Sequence, residues 1–198
     1  LIGVLAGGIC GAFNGALVSK LKIQPMVATL ILFTAARAIG LLFCNNQITY
    51  IRYEPYKYLG NFIPGCPIPT PIFAAIVVIL IVSTVLRTTA LGLYIQSVGI
   101  NSRAARISGI NSSVICFACY VICGLCAGVA GVVSSSRIYS ADSNNIGLNF
   151  ELDAILAVAL GGNSLGGGKF NLAGSIIGAY TIQAITTTLL AMGVSTDQ

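Results

Sequence analysis

The chain has 198 residues, of which 56% are hydrophobic and only 8% charged, and it contains no His and no Trp. A water-soluble domain carries about 25% charged residues, so a soluble globular protein is excluded and an integral membrane protein is implied; the mean hydropathy of +0.92 agrees. The net charge of +5 arises from ten basic and five acidic residues. The basic residues form no run or stripe, which removes nucleic acid as a partner and leaves them as markers of membrane side.

A helix crossing the hydrocarbon needs about 20 apolar residues. In chain order, such runs are Leu1–Ser19, Ile23–Cys44, Pro71–Leu86, Ser113–Ser135 and Ala173–Met192. A sixth run, Leu152–Gly168, is apolar but interrupted by five glycines between Gly161 and Gly168. The expected fold is therefore all-α: one polytopic membrane helical bundle over residues 1–198 with a broken or re-entrant segment. The chain opens without Met inside a hydrophobic run and stops at "GVSTDQ" just after a span. This predicts a fragment of a longer protein, continued on both sides.

Gly3, Gly7, Gly11 and Gly15 recur every fourth residue of the first span and line one helix face. In lipid, such stripes let backbones approach and gain van der Waals contact. Gly124 with Gly128, and Gly174 with Gly178, repeat the device. Polar side chains within or beside the early spans are Asn14, Gln24, Thr29 and Arg37. An Arg at the bilayer centre costs roughly 2.5–3.5 kcal/mol, so these groups should face neighbours or a water-filled path. Arg37 is open to either reading, and it is also near enough to the helix end to snorkel.

The linker after the second span holds Tyr50, Tyr53, Tyr56 and Tyr58, read mainly as an interfacial belt. Pro64, Pro67, Pro69 and Pro71 then stiffen the return into the membrane. Cys44 and Cys66 bracket this polar loop and are able to pair if it faces an oxidising compartment. Cys116, Cys119, Cys123 and Cys126 follow helical spacing in an apolar run and read as small hydrophobes rather than metal ligands. Lys20, Lys22, Arg87, Arg103 and Arg106 fall in alternate connections, whereas residues 45–70 and 137–150 mix charges. The basic connections are expected on the cytoplasmic side.

The stretch "GGNSLGGGKF", residues 161–170, imitates a phosphate-binding loop. That motif needs Gly, four residues, then Gly-Lys-Ser or Gly-Lys-Thr. Gly168 and Lys169 fit, but Asn163 holds the first glycine position and Phe170 the hydroxyl position. The glycines instead break a hydrophobic segment near membrane depth, where irregular backbone must be buried in protein or line a cavity. Broken helices often carry substrate sites in transporters. Asn163 and Ser164 would offer hydrogen bonds to a sugar; a plain tight turn between two short helices is the equal alternative. Glu151 and Asp153, just upstream, would touch a sugar, dock an outer partner, or mark the interface. Whether 152–168 spans or re-enters is left open.

Residues 89–111, "TALGLYIQSVGINSRAARISGIN", form a basic connection with small residues at Ala104, Ala105 and Gly109. One short helix with a flat face there would dock into a partner's groove. This segment, "KIQPMVATLIL" (22–32) and "ELDAILAVALGGNSLGGGKFNLAG" (151–174) resemble the permease subunits of bacterial ABC sugar importers. The group is that of the ribose, xylose, arabinose and galactofuranose systems, and "KIQP" with "ADSNNIGLNFELDAILAVALGG" is most similar to the galactofuranose branch. The resemblance implies a multi-pass protein of the bacterial inner membrane that moves a pentose or hexose by alternating access. It implies that Gly99, Asn101, Arg103, Ala104, Ala105, Arg106 and Gly109 form the coupling segment for a separate ATP-binding subunit. This chain would then bind no cofactor and catalyse nothing. A periplasmic sugar-binding protein and a second permease subunit, identical or different, are the other implied partners. Complete permeases of the group have more spans than are counted here.

The alternative is an ion-coupled secondary transporter or channel for a small polar solute. Such a protein wants an intramembrane carboxylate. The five carboxylates, Glu54, Asp142, Glu151, Asp153 and Asp197, all sit in connections or at span edges. A membrane enzyme ranks last, because no nucleophile–base pair or metal-ligand cluster is apparent.

Overall fold

The computed structural model describes residues 1–45, 47–51, 54–61, 69–142, 146–168 and 170–193. It is helical almost throughout. The long helices are α1 (Ile2–Lys20), α2 (Pro25–Phe43), α4 (Thr70–Thr88), α7 (Ser112–Ile138) and α9 (Leu172–Ala191). Among the described residues these five are long and apolar enough to cross a membrane. Short helices α3 (Glu54–Gly60), α5 (Ala90–Ile100), α6 (Ser102–Ile107) and α8 (Phe150–Leu160) join or flank them. Strands β1 (Thr49–Tyr50) and β2 (Ser140–Ala141) form one antiparallel ladder, with Thr49 opposite Ala141 and Tyr50 opposite Ser140.

Starts and stops follow local chemistry. Pro25 sits in the first turn of α2, where its missing N–H is harmless. Asn101, Asn111 and Asn171 cap α6, α7 and α9 by accepting backbone N–H groups that would otherwise be orphaned. Several threonine hydroxyls within the spans bond back to their own helix; Thr29 Oγ1 donates to Pro25 O and Met26 O, both at 3.0 Å.

The core of the bundle is the α1–α7 pair, the most extensive helix contact in the protein. Gly3 lies against Val132, Gly7 against Gly124 and Gly128, Gly11 against Tyr120 and Gly124, and Gly15 against Phe117 and Tyr120. Rising numbers on α1 meet falling numbers on α7, so the helices are antiparallel. An added Cβ at Gly7 would lie 2.5 Å from Gly124 O and 2.8 Å from Gly128 Cα. The glycine stripe is thus a close-packed seam.

The seam also sorts the connections by side. It puts the end of α1, with Lys20, beside the start of α7, which follows Arg103 and Arg106. At the opposite end, β1 pairs with β2, and α3 lies on the last turns of α7. Gly60 nests on Ser136 and Arg137, Tyr56 Oη donates to Val132 O at 3.1 Å and shares a hydrogen bond with Ser135 Oγ, and Ser136 Oγ donates to Tyr56 O. Tyr56 is therefore a latch between α3 and α7. Tyr50 and Tyr58 are exposed, while Tyr53, Cys66, Pro64 and Pro67 lie outside the described residues.

Residues 89–111 contain two helices where the sequence suggested one. Residues 90–100 are apolar enough to form α5, and Asn101 separates the pair by capping α6. The interrupted run also resolves into a defined shape. Helix α8 ends at Leu160 after eleven residues, about 16 Å, or roughly half of a 30 Å hydrocarbon core. Gly161 then meets Gly174, and Ala157 meets Gly178. Helices α8 and α9 are therefore an antiparallel hairpin on a second small-residue seam.

Candidate functional site

The site is the end of the bundle that carries α5, α6 and the glycine-rich turn. Helix α6 has only six residues, too few to persist without help, and it is held at both ends. At its start, Asn101 Oδ1 accepts from Arg103 N at 3.0 Å and Ala104 N at 3.1 Å. At its end, Gly109 N donates to Arg106 O at 3.1 Å and Ile110 N to Ala105 O at 2.9 Å, the paired bonds of a Schellman stop. Gly109 has φ +84, the left-handed conformation that this stop requires. Ser112 Oγ donates to Ser102 O at 3.2 Å and ties α6 to the start of α7.

Caps at both ends fix which face is presented. Arg103, Ala104 and Arg106 are exposed, and Ile107 is 89% exposed. Positions 103 and 107 are one turn apart and share a face. Ala105 is only 5% exposed and is turned into the protein, unlike Arg103, Ala104 and Arg106 with which the sequence grouped it. Asn101 and Gly109 shape the helix. Ile107 was not singled out from the sequence, although an isolated large aliphatic within "SRAARIS" is a signal for an apolar anchor set among charges.

Gly99, two residues before the Asn101 cap, lies against the glycine run of the α8–α9 turn. An added Cβ there would be 3.0 Å from Gly168 N and 3.2 Å from Gly168 O. The stretch that imitates a phosphate loop therefore folds onto the α5 terminus. Asn163 closes the turn. Its Nδ2 donates to Ser175 Oγ at 2.9 Å and to Val158 O and Asn171 O at 3.3 Å, and its Oδ1 accepts from Asn171 N. These contacts engage both ends of the carboxamide within the turn, which is the tight-turn role weighed for Asn163. Ser164 is exposed, and its carbonyl accepts from Gly167 N at 3.3 Å. Lys169 lies outside the described residues.

Among the described residues, cavities open between helices at two places of note. One, about 580 Å³, runs between α4, α5 and α7 and is lined by aliphatic side chains, Cys119, Cys123, Cys126 and Phe170. With no hydroxyl or carboxamide on its wall, it suits hydrocarbon and not a sugar. The other, about 850 Å³, lies under the α3 latch and is lined by Tyr56, Ser135 and the glycine face of α1 and α7. Neither is lined by Asn14, Gln24, Thr29, Arg37, Asn163 or Ser164. Thr29 serves its own helix, Arg37 stacks over Phe33 at 4.7 Å, and Gln24 is an exposed cap position. Asn14 differs: its Oδ1 is buried and makes no hydrogen bond. Glu151 and Asp153 are exposed in the first turn of α8, where they complement the positive end of the helix dipole.

Over residues 1–197 the chain matches the family model described as branched-chain amino acid transport system / permease component. The chain belongs to this permease-component family. It is 44% identical over 196 residues to the galactofuranose transporter permease protein YtfT of Escherichia coli (strain K12), covering 98% of this chain and 57% of that protein. The fructose import permease protein FruF of Bifidobacterium longum (strain NCC 2705) is 39% identical over 202 residues, covering 100% of this chain and 56% of that one. The ribose import permease protein RbsC of Escherichia coli (strain K12) is 37% identical over 192 residues, with coverage of 96% and 60%. The permease chain thus spans somewhat under two thirds of the length of these relatives. No solved structure matches it. Membership agrees with the family read from "KIQPMVATLIL" and the two later segments.

Proposed function

We propose that this chain is part of the membrane-spanning region of a permease subunit in a bacterial inner-membrane ATP-binding-cassette importer for a monosaccharide. The observation that carries the reading is α6. It is a rigidly capped helix at the basic end of the bundle, presenting Arg103, Ala104, Arg106 and Ile107 outward. An aliphatic anchor ringed by positive charge is the composition expected of a helix that seats in a groove of another subunit. That subunit would bind and hydrolyse ATP, and this chain would move by alternating access. The sugar named for each relative, galactofuranose, fructose or ribose, supports a pentose or hexose as cargo. A secreted sugar-binding protein would approach the opposite end, with Glu151 and Asp153, exposed in the first turn of α8, as its candidate contacts, and a second permease subunit would complete the path. Asn14, with its unpaired buried oxygen, is the best remaining candidate for a polar group facing that path.

The test uses the full-length protein with its ATPase subunit. Arg103→Glu combined with Ile107→Glu should abolish co-purification of the ATPase and ATP-driven sugar uptake, while Glu151→Ala leaves co-purification intact. Unchanged co-purification and uptake in the double variant would refute the reading. Uptake that persists without ATP and collapses with the proton gradient would establish ion-coupled transport in its place.

A further inference from the structure

The contact between Gly99 and the glycine run is backbone on backbone. Besides the Gly168 distances given above, an added Cβ at Gly167 would lie 2.8 Å from Gly99 O. Carbon normally rests about 3.5–4.0 Å from its neighbours, so a side chain on either strand would push the two apart. Gly167 and Gly168 also have φ +98 and +117, a region that other residues adopt at a cost. Two residues further on, Phe170 lines the apolar groove that Leu86, Ile95 and Cys123 also line. The turn thus meets the bundle at two places, with its glycines against the end of α5 and Phe170 on the wall of the groove between α4, α5 and α7.

The turn is stiff on its other side as well. Asn163 ties it to Val158 on α8 and to Asn171 and Ser175 at the start of α9. Helices α8 and α9 pack chiefly on each other, so this hook is a principal link between their hairpin and the rest of the bundle. On the α5 side, Gly99 is two residues from the cap of α6. A displacement of α6 therefore has a short, close-packed route to the hairpin, and close-packed contacts transmit displacement rather than absorb it.

We propose that the Gly99–Gly167–Gly168 contact, with Phe170, passes movement of α6 to the α8–α9 hairpin, making Gly99, Gly167 and Phe170 positioning residues for transport. This rests on the reading that α6 receives the ATPase subunit. The experiment uses the full-length permease reconstituted in proteoliposomes with its ATPase subunit and binding protein. Gly167→Ala and Phe170→Ala should leave ATPase co-purification and ATP hydrolysis near wild type. Sugar moved per ATP should fall by at least about fivefold, the low end of usual coupling between sites. An unchanged ratio of uptake to hydrolysis would overturn the proposal, as would a parallel loss of both, which would mark a merely structural contact. If the ratio is unchanged while Arg103→Glu with Ile107→Glu releases the ATPase, the hook fails and the importer reading stands. If that double variant still binds the ATPase, the importer reading itself fails. Hydrogen exchange on the wild-type complex removes dependence on variants that misfold. ATP with vanadate should change protection at residues 99–107 and 161–171 together, and a change confined to one segment would equally overturn the proposal.

Discussion

Replacing Gly124 by alanine places one methyl group in the tightest part of the α1–α7 seam. Its Cβ would collide with Gly7 O, approach Gly11 Cα to 2.8 Å and approach Gly11 N to 3.0 Å. All three are backbone atoms of a facing helix, so no side chain can rotate away. Restoring a contact of about 3.5–4.0 Å requires the helices to part by roughly 1 Å. That separation is felt along the whole glycine stripe, because Gly3, Gly7, Gly11 and Gly15 share the face. Overpacking of this kind costs about 1–3 kcal/mol, and loss of the aligned contacts puts the expectation near the upper end. Gly131→Ala on the same helix is the matched control, since an added Cβ there meets nothing within 4 Å. Its helix propensity should improve by up to about 1 kcal/mol. The assay is reversible unfolding in mixed micelles at rising SDS fraction, with both variants in the full-length protein. Equal stability of Gly124→Ala and Gly131→Ala would refute the antiparallel seam.

Two further outcomes follow from local geometry. Asn163→Ala removes the bonds that close the α8–α9 turn; each bond contributes about 1 kcal/mol, and amide exchange across 161–171 should accelerate at least about tenfold, with wild-type exchange counting against the clasp. Gly109→Ala forces a methyl-bearing residue to φ +84 and should destabilise α6 by about 1–2 kcal/mol, whereas Gly109→Asn should recover part of the loss; exchange at Ala105 and Arg106 reads both, and equal exchange in the two variants would contradict the Schellman stop.

Much of the site was written in short-range chemistry. Asn101 and Gly109 bracket α6 at cap spacing, and Asn111 and Asn171 open the helices after them, so element ends near these residues follow from neighbours a few positions away. The direction of each face was not legible. Ala105 and Ala104 are adjacent and alike in sequence, yet one is buried and the other exposed, because the approach of the following chain decides which side of a six-residue helix is covered. Ile107 was overlooked for the same reason. The bonds of Asn163 were not legible either, because Val158, Asn171 and Ser175 stand five to twelve positions away, and only a closed turn brings them to one carboxamide.

Residence in a bilayer, the all-α architecture and the permease family were determined by the sequence alone. Scarcity of charge, the length of the apolar runs and motif identity are properties of the chain that need no partner element to be expressed. Tertiary structure decided which glycines face which. It matched the α1 stripe to Gly124 and Gly128, folded α8 against α9, and set Gly167 and Gly168 on Gly99. A glycine stripe states that something may approach closely; it carries no side chain to specify what. That choice belongs to the helices that arrive, and it is made only when their backbones meet.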